Sequence, residues 1–134
     1  MTANSSSPTF EYNTRTVQRA KTALSCSPFR LQLFQDMRNQ SVPIASIAEA
    51  TGIERGYIKE AMSESRIEDK LVWLINVGLL RREVDGQGLT DSFRLTPLGR
   101  KIIGEWERSP GAIPAVTASN RLSHWLNRWL RLSL

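Results

Sequence analysis

The sequence predicts a mainly α fold with a small β-hairpin and a C-terminal amphipathic helix. Three observations predict it. Apolar residues recur at three- and four-residue spacing from Val17 to Ile75. Two short alternating runs then flank Asp85-Gly86-Gln87-Gly88, a turn sequence that tolerates positive φ. Finally, Leu122, Trp125, Leu126, Trp129 and Leu130 line one continuous helical face. A chain of 134 residues has room for one core and its tails.

Residues 1–13 are polar and uncapped, which predicts a disordered tail. Thr14 to Leu24 places Val17, Ala20 and Leu24 on one helical face. Pro28 suits the first turn of a second helix capped by Ser27, which runs to about Gln40 and carries Phe29, Leu33, Phe34 and Met37. A third helix is expected from Pro43, with Ile44, Ile47 and Ala48 buried and Gly52 as its left-handed stop. Helical spacing resumes at Ile53 through Tyr57, Ile58, Ala61 and Met62. A break near Ser63 to Ser65 precedes Ser65-Arg66-Ile67-Glu68, a capping-box pattern opening a run with Ile67, Leu71, Leu74 and Ile75; one uninterrupted helix is the alternative. Leu79 to Val84 and Ser92 to Leu95 read as the hairpin strands. Thr96-Pro97 opens a helix to about Arg108, so the domain is expected over 14–108. Residues 109–118 form a Pro/Ala linker, and 119–134 the terminal helix.

The order helix, helix, sharp turn, helix, hairpin, helix resembles a winged helix-turn-helix domain of the kind found in bacterial transcription regulators. The resemblance covers roughly residues 28–107. It rests on Ile44-Ala45-Ser46-Ile47-Ala48-Glu49-Ala50-Thr51-Gly52-Ile53, on Val77-Gly78-Leu79-Leu80, and on Phe93-Arg94-Leu95-Thr96-Pro97-Leu98-Gly99-Arg100. It implies a recognition helix starting near Glu54 that turns Arg55, Lys59 and Ser63 toward the major groove of double-stranded DNA. It also implies a wing whose Arg81, Arg82 and Arg94, with Arg100 and Lys101 one turn further on, hold backbone phosphates. The sequence departs from the pattern in the long interval from Gly52 to Gly78. It departs also in charge: between Glu54 and Lys70, four basic residues face five acidic ones.

Net charge is +5 with a pI near 10.0, which suggests nucleic acid or an anionic surface as partner. The excess lies in the ends, +2 in residues 1–27 and +3 in 111–134, while residues 28–110 balance at 12 basic and 12 acidic. The terminal helix sets Arg121, His124, Arg128 and Arg131 largely opposite its Trp/Leu face. Such a helix fits a homodimer or protein-partner contact, an anionic membrane surface, or a fold-back onto its own domain. One cysteine, Cys26, and one histidine, His124, exclude a disulfide framework and a multi-cysteine zinc site. No nucleotide-loop, metalloprotease or nucleophile-elbow motif occurs. No enzyme activity, cofactor or metal is expected, and the absence of a secretory or spanning pattern suggests a cytoplasmic protein.

The function expected is therefore a dimeric DNA-binding regulator. The alternative is a non-catalytic winged-helix module that binds a protein and is recruited to a membrane or partner by residues 119–134.

Overall fold

The computed structural model describes residues 12–113. The first helix, α1 (Thr14–Cys26), begins where the Asn13 side chain accepts a bond from Thr16 N at 2.7 Å, satisfying an amide the helix leaves unpaired. It ends where the Ser27 hydroxyl donates to the Leu24 carbonyl at 2.8 Å. Ser27 thus closes one helix rather than opening the next. The second helix, α2 (Leu31–Asn39), starts three residues past Pro28, because Phe29 is drawn into an antiparallel bridge with Ile58 and is buried.

Next come β1 (Val42–Pro43), α3 (Ile44–Ile47) and α4 (Glu49–Glu54). The helix expected from Pro43 through Gly52 is therefore two short pieces broken at Ala48, with Glu49 at φ 57°. Gly52 sits inside α4, not at a left-handed stop. A Cβ there would lie 1.8 Å from the Ile47 carbonyl oxygen, so the close approach of α4 to α3 requires glycine. The left-handed glycine is Gly56, at φ +77°.

Residues 55–63 are not helical. Tyr57 and Ile58 are buried, yet tertiary pairing holds them: both amides bond to the Gly52 carbonyl, and the Tyr57 carbonyl accepts from Arg30 N at 2.8 Å. The fifth helix, α5 (Glu64–Asn76), starts at Ser63, whose side chain accepts from Arg66 N. Ser65 and Glu68 accordingly lie within the helix and form no capping box. Ile67, Leu71 and Leu74 are its fully buried stripe.

Gly78, at φ +90°, releases the chain into β2 (Leu80–Asp85), which turns at Gly86-Gln87 into β3 (Gly88–Leu95). The three strands form an antiparallel sheet in the order β1-β3-β2. Pairing runs Leu80 to Leu95 and Arg82 to Phe93, then shifts so that Val84 faces Leu89. Thr90 closes that irregularity, donating to the Glu83 carbonyl at 3.0 Å and accepting from Ser92 N at 3.1 Å. Thr96 then caps α6 (Pro97–Arg108) by accepting from Gly99 N, with Pro97 at its first position.

A 3-10 turn over Pro110–Ala112 folds the chain back and buries Ile113 in the common core. The packed region therefore extends five residues past Arg108 and takes in the start of the expected linker. Tyr12 also packs on the core. The core joins Leu33, Phe34 and Met37 of α2 with Ile47, Ile67, Leu71, Leu74, Phe93, Ile102 and Ile103, all fully buried. Each such side chain contributes roughly 1.5–3 kcal/mol by leaving water. The fold is mainly α with one small sheet, as expected. The terminal helix, the remainder of the linker and residues 1–11 lie outside the described residues.

Candidate functional site

The residues to which the resemblance assigns DNA contact fall on the 55–63 connection, the hairpin β2–β3 and α6, and α5 lies beside the hairpin. The apolar underside of α5 and the hairpin is fixed by Ile67, Leu71 and Phe93, so their polar residues sit on rigid elements. The three residues expected on a recognition helix do not share one. Arg55 is the C-terminal cap of α4, Lys59 is exposed in the connection, and Ser63 uses its hydroxyl to start α5. The helix in front of the hairpin is α5, and its exposed residues are Glu64, Ser65, Arg66, Glu68, Asp69 and Asn76. Three carboxylates, one of them paired with Arg82 of the hairpin, stand against one guanidinium, so α5 brings no excess of positive charge.

The hairpin arginines each have a glutamate neighbour. Arg82 bonds Glu68 of α5 at 3.1 Å and stacks its guanidinium 4.9 Å from the centre of the Phe93 ring. Arg94 bonds Glu83 at 3.0 Å, and Arg81 lies 3.5 Å from the other oxygen of the same carboxylate. One glutamate thus serves two arginines across the strand pair. Arg100 is exposed on α6, and Lys101 sits 6.0 Å from the ring centre of Tyr12, beside the entry to α1. The five residues expected to form one phosphate-binding set are divided between the wing and the helical layer.

Two further features of this surface were not apparent in the sequence. Val84 and Leu89 face each other near the tip of the wing and are 60% and 73% exposed, making a small apolar point. Tyr57 anchors the 55–63 connection by donating its hydroxyl to Asp36 of α2 at 2.6 Å. Burial, reinforced by the Asp36 carboxylate, raises the Tyr57 pKa, and Arg55 opposes the rise. On the opposite side, Arg38 grips Glu107 of α6 at 2.6 and 3.1 Å while Gln35 bonds the same carboxylate. These donors lower the Glu107 pKa.

Among the described residues, no group of three or more His, Cys, Asp or Glu is placed to hold a metal ion. None of the described helices is long and apolar enough to cross a membrane. Cys26 is half-buried at the end of α1, with Ser25 as its neighbour.

A family model described as Npun_F0494-like matches residues 10–128. The chain belongs to the Npun_F0494-like family. No curated protein and no solved structure matches it. The Npun_F0494-like match takes in every described residue and continues through the Pro/Ala stretch to Arg128, so it includes Trp125 and Leu126 of the C-terminal segment.

Proposed function

We propose that this chain is a non-catalytic winged-helix module that docks a protein partner through α5 and the wing. The carrying observation is that Arg81, Arg82 and Arg94 each lie within 3.5 Å of Glu68 or Glu83, two carboxylates that offset two of the three positive charges. A guanidinium whose charge is offset by a carboxylate releases fewer counterions from a phosphate backbone, which lowers the affinity for DNA. Glu64, Asp69 and the Val84–Leu89 tip suit a partner segment that is both basic and apolar.

A mobility shift on random-sequence duplex tests the reading. At low salt the full chain is expected to leave the duplex unshifted. A shift whose log affinity falls linearly with log salt would establish the second reading, a DNA-binding regulator. That reading is favoured by one observation, the placement of α5 directly before a hairpin whose β3 pairs with both β2 and β1. For the partner itself, affinity capture with wild-type chain is compared with Asp69→Lys/Leu89→Asp. The partner should be lost in the variant, whose two sites are exposed and leave the core untouched.

Recruitment to an anionic membrane or a second copy belongs to residues 119–134 in this reading. Removing them should abolish co-sedimentation with anionic vesicles or reduce the measured mass to one chain. If both properties survive the removal, that segment has neither role.

A further inference from the structure

A groove of about 390 Å³ opens between α1 and α5, away from the wing. Its floor is Ala23, Trp73 and Val77, and its rim includes Arg15, Gln18 and Arg19. Arg15 and Arg19 stand four residues apart, hence on one face of α1, and both are exposed. Neither has an ion pair among the described residues, unlike every arginine of the wing. Gln18, Thr22 and the floor residues bring no carboxylate to the groove. The first turn of α1 carries no acidic residue either, so the partial positive charge of the helix start adds to theirs.

Size and charge together narrow the occupant. The volume falls in the range of small-molecule sites, roughly 300–1,000 Å³. Residues 119–134 hold three arginines and no acidic side chain, so they bring no side-chain anion to Arg15 and Arg19. An apolar floor beneath two unpaired guanidiniums suits one chemistry, an apolar body ending in an anion. We propose that the α1–α5 groove binds an amphiphilic carboxylate, with its aliphatic chain on Trp73 and Val77 and its headgroup on Arg15 and Arg19. The guanidinium fork matches a carboxylate oxygen by oxygen, which fixes the head while the floor takes the tail. This site is independent of the α5–wing surface, so its failure would leave that proposal standing.

The full chain is titrated with decanoate below its micelle threshold, following the Trp73 indole N–H resonance, assigned with Trp73→Phe. Saturable binding is expected, at least 10-fold tighter than for decanol or decyltrimethylammonium. Arg15→Glu/Arg19→Glu should weaken it by at least 10-fold. Thr22→Trp, a substitution at an exposed lining position, should block it at unchanged thermal stability. Should the charge-reversed pair fold poorly, Arg15→Gln/Arg19→Gln serves in its place. Equal affinity for the three headgroups, indifference to the arginine variants, or no saturation would each overturn the proposal.

Discussion

On the hairpin, Arg81, Arg82 and Arg94 each lie within 3.5 Å of a glutamate; on α1, Arg15 and Arg19 have no carboxylate among the described residues. Both regions present guanidiniums, and counting charge would rank the wing as the stronger anion site. Pairing reverses that order. An arginine whose charge is offset by a nearby carboxylate attracts a new anion less strongly, whereas one without such a neighbour keeps its full charge.

The comparison rests on the turn that sets α5 beside the wing, and the largest effect should come from breaking it. Gly52→Ala places a methyl 1.8 Å from the Ile47 carbonyl oxygen and 2.9 Å from Ile58 Cδ1. The first of these neighbours is backbone and can yield only by pulling α3 from α4. A loss of about 3 kcal/mol or more is expected, with a fall in thermal midpoint above roughly 10 °C. Gly104→Ala is the matched control, since its methyl meets only the far end of Arg108 at 3.3 Å. It should be neutral or stabilising by up to about 1 kcal/mol. Equal effects of the two substitutions would show that the α3–α4 approach is not constrained as described.

Next in size is the release of the wing arginines. Glu68→Gln/Glu83→Gln removes the charge of both carboxylates that hold Arg81, Arg82 and Arg94 and makes the surface more positive by two. Affinity for random duplex at low salt should rise at least 10-fold, about 1.4 kcal/mol, and fall steeply with salt. A mobility-shift series checks this. An unchanged affinity would mean that the wing's orientation, rather than its pairing, keeps it from phosphate.

These two regions also show what the sequence could and could not disclose. Helix α6 was legible because its start is written locally: Thr96 caps and Pro97 opens it. The hairpin was legible for the same reason, through Asp85-Gly86 and the alternation around it. Residues 53–62 were not. Tyr57, Ile58, Ala61 and Met62 have helical spacing, but Tyr57 and Ile58 are buried through pairing with Gly52, Arg30 and Phe29, contacts up to 29 residues distant that no local pattern records. Gly52 misled in a related way, since a glycine signals a left-handed turn and a close backbone approach equally well. At the candidate site, the arginines themselves were visible. Their partners were not, because the Glu68–Arg82 pair exists only once α5 is laid against β2.

The smallest expected effect probes how the acidic surface is held in place. Tyr57→Phe keeps the buried ring and removes the hydroxyl that bonds Asp36 at 2.6 Å. Asp36 retains Gln32 as a donor at 2.9 Å, so the carboxylate is not stranded and the cost should be about 1 kcal/mol. The pH dependence separates this bond from simple packing. The Tyr57 pKa is raised above its ordinary 10.0, first by burial and then by Asp36. Its contribution is therefore fully present below pH 10 and lost as pH rises through the folded-state value. Wild-type stability should decline above pH 10 more steeply than that of Tyr57→Phe, the two curves converging in alkali. Parallel curves in chemical denaturation from pH 7 to 11 would mean that the Tyr57–Asp36 bond does not hold the 55–63 connection. The carboxylate-rich surface would then be fixed by the Gly52 and Phe29 backbone pairings alone.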